Sequence, residues 1–269
     1  MTYIGIIGSV IILYYFYNKF IRWIPTSPQI LNTDKLFIYG HRGVPAQAPE
    51  NTIYSFQKAF ELNVDGIELD VQITKDNVLV VHHDPHLERL TGEKTFINTL
   101  TYKKLLSIDA RGIGYDSLAF QQIPRLDDVL EILPDNIAIN IEIKSQRLFS
   151  EGMEQPVIDS ILKHDLLNRT IISSFNPLRI LKVKFLQPNV TTAQLWDIDE
   201  KFSSILWVYL SRPDLLHGNI DQFNEDIISN FKALKMKVYA YTVNSDKQLA
   251  KAKQLNINGI FTDNPTLLK

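Results

Sequence analysis

The chain has 269 residues, 45% of them hydrophobic and 22% charged, enough to bury the core of one large globular domain or two small ones. A formal charge of −2 and a sequence pI near 6.3 provide no basic face for nucleic acid. The absence of cysteine excludes disulfides and thiolate chemistry, so any metal must be held by oxygen or imidazole.

From Met1 to Asn18 no side chain is charged, and YIGIIGSVIILYYFY is apolar on every side, as a helix in lipid would be. Those fifteen residues would span only about 22 Å as helix, but continuing through NKFIRWI reaches about 33 Å, against a hydrocarbon core of roughly 30 Å. Lys19 and Arg22 can then snorkel, while Tyr14, Tyr15, Tyr17 and Trp23 sit at the interface. A cleaved signal peptide is the alternative, but no basic stretch precedes the apolar run and IRWIPTSPQ lacks a small-residue cleavage pattern. The expectation is a transmembrane helix over residues 1–24 in the cell membrane. Lys19, Arg22 and Lys35, all after the span, would leave the remaining chain in the cytoplasm. PTSPQILNTD, residues 25–34, reads as a linker, and the main domain begins at Lys35.

From there strand-like and helix-like segments alternate. LFIYG, DGIELDVQI and NVLVVHH read as the first three strands, with the helical NTIYSFQKAFEL after the first and a turn at Lys75, Asp76 and Asn77 before the third. IAINIEI, RTIISSF, TTAQL, KVYAYTV and GIFTD continue the series, with helical patterns over 153–164, over 176–186 and from Asp246. Seven or eight such units in about 235 residues predict a TIM (β/α)8 barrel. A Rossmann-type sheet is the alternative, but no G-x-G-x-x-G follows the first strand. Residues 85–124, between the third strand and the helix RLDDVLEIL, are too long for an ordinary loop and read as an insertion over the barrel mouth.

Chemistry in such barrels gathers at the C-terminal ends of strands. Glu68 and Asp70 stand two apart on one strand, so both project from the same face. Two carboxylates there repel and resist burial, which a hard cation such as Ca2+ or Mg2+ relieves; a solvated edge strand is the other reading. Glu142 and Lys144 repeat the spacing, offering a third oxygen ligand and a cation for phosphate, or simply an internal ion pair. His41 and Arg42 follow the first strand, and His82, His83 and Asp84 follow the third, which makes an acid/base pair plausible. His86, His164 and His217 read as ordinary structural histidines.

The stretch from GHRGVPAQAPENT through VVHHDPHLERLT, together with IPRLDDVLEILP, NIEIKS, SSFNP, YTVN and GIFTDNP, resembles the glycerophosphodiester phosphodiesterases over nearly all of residues 35–269. The resemblance implies a TIM barrel with one divalent cation, Ca2+ or Mg2+, and hydrolysis of glycerophosphodiesters to sn-glycerol 3-phosphate and an alcohol. It implies that His41 and His83 are the acid/base residues, and that Arg42 and Lys144 contact phosphate. Glu50 and Asn51 would belong to the active-site loop, and Glu68, Asp70 and Glu142 would be the metal ligands. It selects His83 over His82 because His83 precedes Asp84. Tyr241 stands where many members carry tryptophan, keeping an aromatic wall beside the substrate but adding a hydroxyl. In the implied mechanism one histidine deprotonates the attacking hydroxyl and the other protonates the leaving oxygen. Two other functions compete with this one: a lysophospholipase D acting on membrane lysophospholipids, and a catalytically silent barrel that binds a phosphodiester.

Overall fold

Closure of the sheet follows from the pairings of its first strand. In the computed structural model β1 (Phe37–Gly40) pairs in parallel with both β2 (Gly66–Ile73) and β9 (Gly259–Thr262). Between them run β4 (Ala138–Ile143), β5 (Thr170–Ser174), β6 (Thr191–Trp196), β7 (Leu215–Asn219) and β8 (Lys237–Tyr241), each parallel to its neighbours. The eight make the expected parallel barrel. The structure describes residues 24–112, 114–145, 152–200 and 204–268, together with Gly8.

β3 (Leu79–Val81) is not one of the eight. It pairs antiparallel with β2, Val71 opposite Val81 and Ile73 opposite Leu79, because the short turn at Lys75–Asn77 can only return the chain as a hairpin. The stave that the sequence did not reveal is β7, LLHGN, whose apolar run is broken by His217 and Gly218. The insertion therefore extends a β2–β3 hairpin. It carries α2 (Glu88–Thr91) and α3 (Tyr102–Leu105) and a small core of its own around Val80, Leu87, Ile97, Leu105 and Ile123. The Tyr115 hydroxyl donates to the Pro45 carbonyl at 2.6 Å, tying the insertion to the loop after β1 at the barrel mouth.

The helices α1 (Ile53–Glu61), α4 (Leu126–Glu131), α5 (Glu154–Lys163), α6 (Pro177–Leu186), α7 (Ile205–Ser211), α8 (Glu225–Ala233) and α9 (Asp246–Gln254) form the outer ring. Alternation along β2 and β4 divides their side chains between two cores. Ile67, Leu69, Val71, Ile139 and Ile141 meet Phe56, Val129, Ile158 and Val183 of the helices. The intervening Glu68, Asp70, Asn140 and Glu142 fall on the other face, toward the barrel interior, above a floor of Tyr39, Tyr239, Phe261 and Leu215.

Residues expected as a linker lie against the base of the barrel. A 3-10 turn at Gln29–Leu31 buries Leu31 with Phe37 and Tyr39, and Lys237 Nζ donates to the Leu31 carbonyl at 2.6 Å and to Asn32 Oδ1 at 2.8 Å. The expected membrane helix over residues 1–24 lies, but for Gly8 and Ile24, outside the described residues. Among the described residues no helix is long and apolar enough to cross a membrane.

Candidate active site

The loop after β1 turns sharply to carry two residues of the site. Arg42 and Asn51 hold left-handed backbone conformations, φ 51° and 56°, which non-glycine residues adopt only where surrounding contacts enforce them. Here those contacts are visible. The Asn51 N–H donates to the Arg42 carbonyl at 2.9 Å, and the Arg42 N–H donates to Glu68 Oε2 at 2.9 Å. Gly43, at φ 88°, permits the turn, because a Cβ there would lie 2.2 Å from Ser55 Oγ.

Glu68, Asp70 and Glu142 converge as their strand positions require, with one carboxylate oxygen from each within 4.8 Å of the others, all three buried. Burial, then Asp70 and Glu142, pushes the Glu68 carboxyl well above the usual range. Burial likewise raises Glu142, and although Lys144 opposes it the carboxyl stands at about 7. Burial would raise Asp70 too, but Lys144 and Arg42 prevail and hold it below its ordinary value. Lys144 Nζ lies 2.9 Å from Asp70 Oδ1 and 2.7 Å from Glu142 Oε1. Three buried oxygen donors that resist sharing negative charge fit a hard divalent cation, and nothing in the set favours a softer one.

Two imidazoles flank this cluster, each backed by a carboxylate. His41 Nδ1 lies 2.6 Å from Asp263 Oδ1, and His83 Nδ1 lies 2.7 Å from Asp84 Oδ1. Burial opposes ionisation of Asp263 and Asp84, yet the hydrogen bonds from His41, and from His83 and Arg89, keep both carboxyls below their usual values. As ionised carboxylates they only accept, so each histidine donates from Nδ1, which leaves Nε2 as the nitrogen turned to other partners. His41 Nε2 lies 4.0 Å from Glu68 Oε2. Burial, Lys144 and Arg42 depress His83 to about 4, leaving it neutral at physiological pH. His82 points elsewhere: it is buried, with Nδ1 2.8 Å from the Asp84 carbonyl, and its pKa is lowered by burial.

His41, Arg42, Glu68, His83, Glu142, Lys144 and Tyr241 line one cavity of about 300 Å³ at the C-terminal ends of the strands. Of the expected residues, Glu50, Asn51 and Asp70 stand behind it. Asn51 Nδ2 donates to Asp70 Oδ2 at 2.8 Å, and Glu50 accepts from Arg42 at 3.2 Å and from Arg89 at 2.6 and 3.1 Å. Tyr241 forms a wall with Phe175, ring centroids 6.2 Å apart, and its hydroxyl donates to the Trp196 carbonyl at 3.0 Å. Sequence reasoning missed Asp263, Arg89, Phe175 and Asn140, while His217, read as structural, packs beneath the cavity against Tyr239 and Phe261. Asp263 had a signal, its place directly after the last strand, and so did Asn140, two positions before Glu142 on the same face of β4.

A parallel barrel whose mouth sets three buried carboxylates that could hold a cation between two carboxylate-backed imidazoles, beside the cationic Arg42 and Lys144, has the groups that a hydrolase of phosphoric esters needs. The model of the glycerophosphoryl diester phosphodiesterase family matches residues 41–267, and the chain belongs to that family of phosphoric diester hydrolases. A glycerophosphodiester phosphodiesterase of Caldanaerobacter subterraneus is 33% identical over 238 residues, 87% of this chain and 96% of that protein. Among solved structures, one from Thermotoga maritima is similar at 28% identity and TM-score 0.71, covering 87% of this chain and 97% of that one. A phosphodiesterase of Oleispira antarctica, in complex with the product sn-glycerol-3-phosphate, is similar at 26% identity and TM-score 0.73, covering 85% and 93%.

Proposed function

We propose that the protein hydrolyses small glycerophosphodiesters to sn-glycerol 3-phosphate and an alcohol, with Glu68, Asp70 and Glu142 holding Ca2+ or Mg2+. The observation that carries this reading is the meeting, at one cavity, of Glu68 and Glu142, with Asp70 close behind them, and the imidazoles of His41 and His83. The relative whose structure contains sn-glycerol-3-phosphate supports the product. When bound, the cation supplies Lewis-acid polarisation of the phosphoryl oxygens. Arg42 and Lys144 bind the phosphate and fix its orientation. His41 takes the proton of the attacking oxygen, either water or the neighbouring glycerol hydroxyl whose cyclic ester water then opens, and Asp263, 2.6 Å from Nδ1, stabilises the imidazolium that forms. His83 gives a proton to the leaving oxygen. The substrate anion counters the field of Lys144 and Arg42 that depresses this imidazole, and so lets it hold that proton. Phe175 and Tyr241 exclude water from one side. The test is release of sn-glycerol 3-phosphate from glycerophosphocholine and glycerophosphoethanolamine by protein stripped of metal, before and after Ca2+ or Mg2+ is restored. Release at the same rate without a cation defeats the proposal.

A further inference from the structure

The helices around the barrel do not all meet water in the same way. α9 exposes Asp246, Lys247, Lys253 and Gln254, the usual polar face of an outer helix. α7 contains no charged residue and leaves Ile205, Leu206 and Leu210 exposed, Leu206 at 60%. Its neighbour α6 adds Leu181 and Phe185, the latter at 79% the most exposed large apolar side chain among the described residues. Single exposed apolar residues need no explanation, but five on two adjoining helices do.

The point at which the N-terminal segment reaches the barrel supplies one. The Thr26 backbone N–H and hydroxyl both donate to Asp214 Oδ1, at 3.0 and 3.1 Å. Asp214 is buried, accepts from Lys184 of α6 and takes the Thr192 N–H at 2.9 Å. Lys184 immediately precedes Phe185, and Asp214 follows shortly after the end of α7, so the chain arrives at the foot of this same apolar face. Upstream lie Lys19 and Arg22, and before them the uncharged run from Met1 to Asn18. The few residues from Asn18 to Thr26 keep that run within about 30 Å of the face even if fully extended.

We propose that the α6–α7 face rests on a lipid bilayer that also receives the N-terminal segment, so that this flank of the barrel meets lipid. The segment is apolar all round. Laid along α6 and α7 it would cover one of its own sides and leave the others in water, whereas lipid satisfies segment and face together. A second copy fits poorly, because a stable interface needs about 20–30 residues a side. α6 runs from beside Phe175 of the cavity to Phe185 at its far end, and α7 opens with Ile205 and Leu206 on the mouth side, so the apolar face extends along the whole flank of the barrel.

Because the chain has no cysteine, single substitutions can each carry one fluorophore. The full chain, as Phe185→Cys, Leu206→Cys, Lys247→Cys or Glu93→Cys labelled with an environment-sensitive dye, is reconstituted into phosphatidylcholine–phosphatidylglycerol vesicles containing nitroxide lipid. Labels at 185 and 206 should lose at least half their emission to the nitroxide lipid and be quenched at least fivefold less by iodide than those at 247, on α9, and 93, on the mouth side. Equal iodide quenching at all four positions overturns the proposal, as does failure of the chain to float with vesicles. Shielding of 185 and 206 from both quenchers also overturns it. In that case the N-terminal segment covers the face if the shielding is independent of protein-to-lipid ratio, and a second copy covers it if shielding grows with that ratio. The readout needs no catalysis, so a failure here and a failure of the hydrolase reading remain distinct.

Discussion

Asp263→Asn should impair the enzyme more than Asp263→Ala, although asparagine is the closer replica. Asn244 determines this result. Its side-chain oxygen accepts the Asp263 N–H at 2.8 Å, so its Nδ2 is fixed as the donor to Asp263 Oδ2, at 2.6 Å. An asparagine at 263 must keep its oxygen toward Asn244 and turn its NH2 to His41 Nδ1. That nitrogen then becomes the acceptor, the ring proton moves to Nε2, and the lone pair needed to take the substrate proton is gone. Two losses therefore combine. A carboxylate and an imidazolium about 4 Å apart interact by about 4 kcal/mol at an effective dielectric of 20. His41 and Asp263 are 19% and 31% exposed, and screening reduces this to about 2 kcal/mol, or about 30-fold in rate. Alanine should cost about that much and leave the tautomer free. Asparagine should add the loss of the base, for a total of about 10³-fold or more in kcat/KM. The assay is release of sn-glycerol 3-phosphate at saturating cation, with thermal melting as the check on folding. An Asp263→Asn enzyme more active than Asp263→Ala, or within threefold of the parent, refutes the tautomer argument.

Cation binding should show the proton competition built into the triad. With the Glu142 carboxyl raised to about 7 and Glu68 raised beside it, protons occupy the site below neutrality and leave as pH rises, so affinity is gained upward through pH 7. One displaced proton makes binding about 30-fold weaker at pH 5.5 than at pH 8, and the rise in Tm given by millimolar Ca2+ or Mg2+ should be larger at pH 8 than at pH 5.5. Equal rises would show that the triad does not titrate in this range. His83→Ala should lower turnover by about 10²-fold or more with the melting temperature little changed, whereas His82→Ala, which removes a buried hydrogen bond, should cost about 1–2 kcal/mol of stability and little activity. The reverse pattern in paired kinetics and melts would exchange the two histidines. Gly43→Ala should cost about 2 kcal/mol or more by denaturant melting, since its Cβ would clash with Ser55 Oγ at a positive φ, and a neutral result would remove the steric account of the loop.

The fold was largely legible because a parallel strand buried on both faces leaves a dense apolar run, as in IAINIEI and RTIISSF, and each run here is followed by a helical period. The two errors share one cause. LVV and LLHGN are both short, and apolar density cannot say which of them closes the barrel. Density favoured the first. Its partner is decided by the three-residue turn before it, which allows only an antiparallel return, while LLHGN admits a histidine because its inward side chain packs against Tyr239 and Phe261, ring centroids 5.4 and 4.8 Å away. The turn at Lys75–Asn77 was visible in the sequence and would have excluded the hairpin strand as a stave.

The site was legible where chemistry lies along one strand and obscure where it lies between strands. Glu68 with Asp70, and Glu142 with Lys144, declare themselves by a spacing of two, since one face of one strand must then hold like charges or an ion pair. The groups that set the state of the histidines do so across the closed barrel. Asp263 backs His41 from 222 positions away, because β9 and β1 are neighbours only once the sheet has closed, and the register that sets Gly40 opposite Thr262 brings the residue after each strand to the same level. Arg89 reaches Glu50 across 39 positions only because the hairpin carries the insertion back over the β1 loop. Such partners cannot be read from local spacing, but they follow once strand order and register are known: where two neighbouring strands end level, the residues just past their C-terminal ends stand side by side. Applied to β9 and β1, that rule pairs Asp263 with His41 before any distance is measured, and makes closure of the sheet itself the event that gives the histidine its tautomer.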